Sequence, residues 1–475
     1  MSTNANRNTP RRVLLVLMCV GMFLVQLDVT IVNVSLLPIQ NALGGGVAAA
    51  QWVVGGYIVA LSAALIPGGI LADRVGTKAS TLIGLASFTA TSAAAGLSPS
   101  MEALIAARVG QGIAAALLLP STLAVINQLF TESADKARAM GLWAGFSALA
   151  LPAGPLLGGA LCNAGHWRAI FLLNVPIALA ALALCSILLP QAPSSGKAPP
   201  ANWINLLLIA TCLSTLVLAT TLIGEGRYVL AATAVAVFFL SMVIISRREA
   251  TLADPAIPHD LRRNVDFRRA TVISFAMNLV GIGLIFTMSL YFEGIEHSSP
   301  LHAGMRLLPL FIPLALGAPL TGKLVARVGP RLPMAAGLLT GAFGCAVLAL
   351  FATQRDQMAI IIALIAIGTG MGLLTPAVVA YAMQASPVQL SGLASSINNA
   401  ARQAGGALGI AIFGTLTGSV HGDPQSFLAG TRNCALVSVA LWIACAALLL
   451  TTSRTTAPMG NHPSNRLNTR QTREQ

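Results

Sequence analysis

Charge is what this chain has least of: 9% of its 475 residues are Asp, Glu, Lys or Arg, and only 15 are acidic. A soluble domain carries roughly 25% charged residues, so a freely soluble fold is excluded. Aromatics are sparse too, at 5%. The net charge of +13 sits in short segments and tails between apolar runs, so it is not read as a nucleic-acid surface. The seven cysteines (Cys19, Cys162, Cys185, Cys212, Cys345, Cys434, Cys445) fall mostly in or beside apolar runs, without metal-ligand spacing, so no metal site is expected. All six histidines lie in loops or the tail, which argues against a histidine relay inside a membrane. GxSxG, HExxH, paired intramembrane acids and a phosphate-cradling glycine loop are all missing, which points away from an enzyme. A sensor would need large soluble loops, and none is visible.

Apolar sequence is what the chain has instead: 56% hydrophobic residues and a mean hydropathy of +0.78. Runs at 13–37, 52–71, 80–97, 102–129, 139–161, 168–189, 203–222, 229–246, 270–292, 304–326, 333–352, 357–380, 391–419 and 433–452 give 14 candidate spans. A membrane helix needs about 20 such residues. The chain is therefore expected to be an all-α, multi-pass integral membrane protein. Arg7, Arg11 and Arg12 precede the first run, but that run outlasts the h-region of a signal peptide, about 7–15 residues. With the N-terminus inside, cytoplasmic segments hold twenty-one basic residues, and outer segments only Arg168, Arg227, Arg306, Arg355 and Arg432. That bias places both termini in the cytoplasm. Omitting the pair at 203–246 keeps the same register, so twelve helices with two re-entrant segments remain an alternative.

The chain also repeats itself. Gly69-Ile70-Leu71-Ala72-Asp73-Arg74-Val75-Gly76-Thr77-Lys78 is echoed by Gly322-Lys323-Leu324-Val325-Ala326-Arg327-Val328-Gly329-Pro330-Arg331, and Gly154-Pro155-Leu156-Leu157-Gly158-Gly159 more weakly by Gly405-Gly406-Ala407-Leu408-Gly409. The offsets are 253 from Gly69 to Gly322 and 251 from Gly154 to Gly405. Six spans with loops take roughly 190 residues, so two six-helix halves with a pair between them are expected. The divisions are 1–190, 191–269 (two inserted helices with basic linkers), 270–452 and a disordered tail, 453–475.

Asp28 is the one acid set deep in an apolar run. A carboxylate there costs ~2.5–3.5 kcal/mol on insertion scales, so it needs a partner or a task. Held between desolvation and a nearby cation, it can bind and release a proton. Counting from Val13, Asp28 lies ~22 Å up the first span, and Arg108 lies ~9 Å down the fourth from the opposite side. The depths agree within a ~30 Å core. The two are expected to pair, either as a static brace or as a proton-coupling site. Gln111, one turn from Arg108 on the same face, is placed to bond it.

Leu27-Asp28-Val29-Thr30-Ile31-Val32-Asn33-Val34 resembles the first-helix motif of the 14-helix drug/proton antiporters of the major facilitator superfamily. Gly69, Leu71, Ala72, Asp73, Arg74, Gly76 and Lys78 match that family's loop motif, Arg108, Gln111, Gly112 and Ala115 its fourth-helix motif, and Gly154, Pro155, Gly158 and Gly159 its antiporter motif. Ala114 and Ala150 stand where glycines are usual. Trp167 to Pro176 and Asn399 to Gly409 also fit. The resemblance covers nearly the whole chain. It implies the major facilitator fold, with Asp28 and Arg108 in proton coupling and the glycine–proline segment of the fifth helix sealing the outer side. Asp73, Arg74, Gly76 and Lys78 would form the inner gate.

Asn33, Gln51, Trp52, Tyr57 and Asn398 are candidate cavity linings. Arg402 is either a buried pairing or an anion-side contact. Glu293 stands where the family pattern calls for glutamine; it either biases the outer mouth toward cations or is a solvated loop acid beside Glu296. The expected function is efflux of lipophilic or cationic compounds across the cytoplasmic membrane in exchange for protons. No cofactor is expected beyond the proton motive force, and the partners are a small molecule, protons and lipid. A monomer is expected. Exporters of a single natural product and uptake symporters share this scaffold, and the glycine–proline segment speaks against uptake.

Overall fold

A computed structural model describes residues 5–130, 133–190, 203–224, 226–251, 259–386, 391–418 and 423–451. The tail expectation, 453–475, lies outside them. The described residues form helices and no strand. In order these are α1 (Ala5–Ile31), α2 (Leu36–Leu43), α3 (Val47–Val75), α4 (Thr77–Gly96), α5 (Met101–Leu129), α6 (Ser133–Asn163), α7 (Ala169–Leu172), α8 (Asn174–Leu188) and α9 (Trp203–Gly224). There follow α10 (Tyr228–Thr251), α11 (His259–Arg263), α12 (Val265–Leu290), α13 (Pro300–Val328), α14 (Arg331–Phe351), α15 (Gln357–Gln384), α16 (Ser391–Thr417) and α17 (Pro424–Leu450). Twelve of the fourteen apolar runs fall on one long helix each; the first is shared by α1 and α2, and 168–189 by α7 and α8. Among the described residues, 11 helices are long and apolar enough to cross a membrane; α4, α9 and α16 are the long helices outside that set.

The first run departs from one continuous helix. Its α-helical part stops at Ile31, a 3-10 turn covers Asn33–Ser35, and α2 begins at Leu36. Polar side chains loosen the backbone there: Asn33 Nδ2 donates to the Val29 carbonyl at 2.8 Å, and the Ser35 hydroxyl to the Ile31 carbonyl at 3.1 Å. Inserted α9 and α10 are helices of 22 and 24 residues, and α10 of the pair is long and apolar enough to cross a membrane.

Packing follows the repeat. Helix α6 lies on α1 as α16 lies on α12, and the two halves meet where α3 touches α16 and α6 touches α13. Helix α9 covers the α3–α16 seam, where the carbonyl of Thr220 accepts from the Thr415 hydroxyl at 3.1 Å. Both copies of the repeated loop motif pivot on a left-handed glycine: Gly76 has φ +87° and Gly329 φ +77°. Gly76 alone separates α3 from α4, and Gly329 with Pro330 separates α13 from α14, so the loop motif at 73–78 is a one-residue hinge between helices. Capping fixes the helix ends. Asp423 at the start of α17 accepts from the Ser426 hydroxyl at 2.8 Å and from the Gln425 and Ser426 amides, which holds its carboxyl below the ordinary range.

The end of the bundle that carries residues 11 and 450 is called the near end below, and the opposite one the far end. At the far end the halves are in tight contact: a Cβ on Gly159 of α6 would fall 2.6 Å from Leu301 Cα of α13, and Gly304 of α13 sits against the Pro155 carbonyl. Toward the near end the seam loosens. A Cβ on Gly145 of α6 or Gly322 of α13 would meet nothing within 4 Å.

Candidate proton-coupling site

Asp28 and Arg108 form an ion pair with both side chains fully enclosed. Helix α1 raises the carboxylate and α5 descends with the guanidinium, as their depths require. Gln111 joins them as expected, accepting from Arg108 Nη1 at 2.9 Å and donating to Asp28 Oδ1 at 3.4 Å.

Three further members did not follow from spacing. Asn174 at the start of α8 donates to Asp28 Oδ1 at 3.3 Å and to Ser92 Oγ of α4 at 3.2 Å. Ser92 also accepts from Gln111 at 3.0 Å and donates to the Phe171 carbonyl at 2.9 Å. Arg108 Nε donates to the Val53 carbonyl of α3 at 2.9 Å, and its guanidinium lies 4.4 Å from the centre of the Tyr57 ring. Five helices of the first half thus meet at one dry polar cluster. Tyr57 is fully buried and donates to the Val25 carbonyl at 3.2 Å, so it packs the cluster and does not line a cavity. The two enclosed cluster atoms with no partner are a donor, Arg108 Nη2, and an acceptor, Asn174 Oδ1. Breaking such a pair by removing one member costs about 3–5 kcal/mol, because the survivor is left charged and dry.

The cluster touches the far-end seal through two residues of α1. Thr30 donates to the Leu27 carbonyl at 3.2 Å and to the Ala150 carbonyl of α6 at 3.3 Å. Gly154 lies against Thr30 and Gly158 against Ile31, so α1 and α6 are in backbone contact. Pro155 and Gly159 of the same segment then meet α13.

Other expected site residues scatter. Gln51 bridges the halves, donating to the Ala411 carbonyl of α16 at 3.3 Å, as Ser62 does to the Ala400 carbonyl at 2.8 Å. Trp52 beside it is half-buried. Asn33 is spent on its own helix, although its Oδ1 is enclosed without a partner. Asn398 accepts from the Ser274 hydroxyl at 3.1 Å, leaving its Nδ2 unpartnered. Arg402, one turn on, is half-buried, with an enclosed Nε that has no partner and no ion pair among the described residues. Glu293 is 7% exposed, so it is not a freely solvated loop acid; its neighbours leave it little contact with water. Gly69 lies on α3 and Lys78 on α4 beside the Gly76 hinge, while the side chains of Asp73 and Arg74 lie outside the described residues.

The second half carries a near-end ionic cluster that sequence reasoning missed. Asp266 of α12 accepts from Tyr381 at 2.7 Å, Arg269 at 3.0 Å and Arg331 at 3.4 Å, and Arg269 reaches Thr451 at 3.0 Å. Arg331 is the repeat partner of Lys78, so the offset of 253 pointed to it.

Two repeated helical halves, an ion pair enclosed within the first of them and a seam closed at one end define a membrane transporter. Residues 18–410 match the Major Facilitator Superfamily, and the chain belongs to it. It is 32% identical to the tetracenomycin C resistance and export protein of Streptomyces glaucescens, over 86% of this chain and 76% of that one. It is 31% identical to multidrug efflux pump LfrA of Mycolicibacterium smegmatis, over 87% and 82%. In fold it is similar to a crystallised peptide transporter in complex with sulfate (TM-score 0.70, 16% identity, covering 92% of this chain and 94% of that one). It is also similar to an inward-facing bacterial homologue of the lysosomal transporter Spinster (TM-score 0.66, 17% identity, 93% and 96%).

Proposed function

We propose that this protein exports lipophilic or cationic drug-like compounds across the cytoplasmic membrane in exchange for protons, by alternating access. The near end faces the cytoplasm, in line with the basic residues gathered there. The observation that carries this reading is the enclosed Asp28–Arg108 pair, two residues from the α1–α6 contact that continues into the far-end seal. Resistance and efflux proteins among the relatives support the export direction.

The chemistry uses the chain's own groups and the proton motive force. From the outside, a proton binds the Asp28 carboxylate, and the ion pair with Arg108 is lost. Arg108 keeps the Val53 carbonyl and Gln111, and the unpartnered oxygen of Asn174 is an acceptor to which Nη2 can turn. The shift moves α1 at Thr30 and Ile31, where Gly154 and Gly158 leave no slack, and the far end closes. Inside, the proton leaves, compound binds between the halves, and the loaded protein reopens outward.

Everted membrane vesicles with an imposed pH gradient test this. A panel of lipophilic cations and neutral drugs is added to vesicles carrying wild type or Asp28→Asn. Gradient dissipation by wild type alone is the expected result. Export without proton flux, or normal coupling in Asp28→Asn, would leave the pair a static brace.

A further inference from the structure

Helix α12 does not end in a regular turn. Residues Tyr291–Ile295 form a π-helix, and Glu293 stands in its middle. Single π turns recur at functional sites, since they give up regular α-helical bonding locally. Glu293 is 7% exposed and has no hydrogen-bond or ion-pair partner among the described residues. The charges nearby satisfy one another instead. Glu296 pairs with Arg306 of α13 and accepts from Gln357 at 2.5 Å, and Arg306 lies 5.6 Å from the Phe292 ring centre.

What Glu293 faces is the other half. Its charge acts on Cys162 at the end of α6, and the Cys162 thiol donates to the Ser35 hydroxyl at 3.1 Å. The Asn33–Ser35 turn touches α6, α12 and α13. The carboxyl therefore sits where the break in α1, the end of α6 and the π turn converge, in the far-end seam. The remaining titratable or charged groups around it are Tyr291 on the turn, His297 just after it, His302 on α13 and Arg355 after α14. The Asn33–Ser35 turn brings only uncharged side chains.

We propose that Glu293 is a second proton-binding site, loaded from the far side, whose protonation lets the far end shut. A carboxylate that surrenders its water for neither a donor nor a cation is unfavourable, so the closed seam accommodates the acid and not its anion. When the seam opens, water enters, the O–H bond breaks, the proton passes to that water, and the carboxylate keeps the electron pair. The hydrated anion then resists reclosure. Glu293 exchanges with the far side alone, so this proton is a latch and is not carried across. The inference takes the far end as external, in keeping with the proposed function, but does not depend on proton exchange for drug.

The test reads the gate directly, without substrate. Spin labels are placed at exposed Asn163 of α6 and exposed His302 of α13, in a cysteine-free chain with His166→Gln and His297→Gln, in lipid nanodiscs. Label separation is measured by pulsed electron resonance from about pH 4 to about pH 9, which spans the carboxyl and histidine ranges. The parent is expected to gain open population as pH rises, by up to about tenfold per pH unit for one proton. Glu293→Gln, isosteric with the acid, and Glu293→Met should both hold the short separation throughout, and that separation certifies their fold. Asp28→Asn, whatever its resting open population, should still gain open population as pH rises. A parent without pH response, or a Glu293→Gln that opens as the parent does, overturns the proposal. Loss of the response in Asp28→Asn but not Glu293→Gln would transfer the latch to Asp28. Failure of drug–proton exchange in vesicles leaves these distances untouched, so the two readings fail separately.

Discussion

Ile31 of α1 and Gly158 of α6 are packed so closely that a Cβ on Gly158 would stand 2.6 Å from the Ile31 carbonyl oxygen. The neighbour is backbone and cannot turn aside. Gly158→Ala should destabilise the far-closed state by about 1–3 kcal/mol, as overpacking does. Gly145→Ala on the same helix meets open space and should export normally. Vesicle export with melting temperatures compares the two, and equal loss in both would refute the packing account.

Asp28→Asn keeps the shape of the cluster and removes only the charge. It should leave a folded protein that no longer exchanges protons. Arg108→Ala strips the pair of its cation and should lose about 3–5 kcal/mol of stability. Detergent melting and yield after size exclusion separate these outcomes.

Ser92 receives the amides of both Gln111 and Asn174. Ser92→Ala leaves those donors short of an acceptor in a dry site, at a cost of about 1–3 kcal/mol. Asn174→Ala removes a donor to Asp28. Proton-coupled export should fall, and unchanged coupling would separate Asn174 from the site.

Arg402 of α16 is a half-buried cation with no ion pair among the described residues, and its Nε is enclosed without a partner. A cation partly withdrawn from water without a counter-ion is unfavourable for folding. Arg402→Met should raise the melting temperature while lowering export. A lower melting temperature would mean that the charge is satisfied in a way the structure does not contain.

Gly76 and Gly329 hold backbone conformations at φ +87°, ψ 157° and φ +77°, ψ 171°. That region is essentially restricted to glycine. Alanine at either should cost about 1–3 kcal/mol, visible as a lower melting temperature for each single variant.

Composition and run length by themselves determined the membrane class and the apolar helices, because lipid demands long apolar helices whatever their neighbours, and the echo of Gly69–Lys78 at Gly322–Arg331 pointed to the two halves. Asp28 and Arg108 were legible as a pair for the same reason: two lone charges at one depth must find each other. Which face of each helix meets which neighbour was not legible. In lipid a helix is apolar all round, so periodicity carries little information about packing. Tertiary structure alone brought Ser92, Asn174 and Tyr57 to the ion pair, turned Tyr57 inward and broke α1 after Ile31. It also decided Glu293, an acid in a polar stretch that reads as solvated until the two halves close over it.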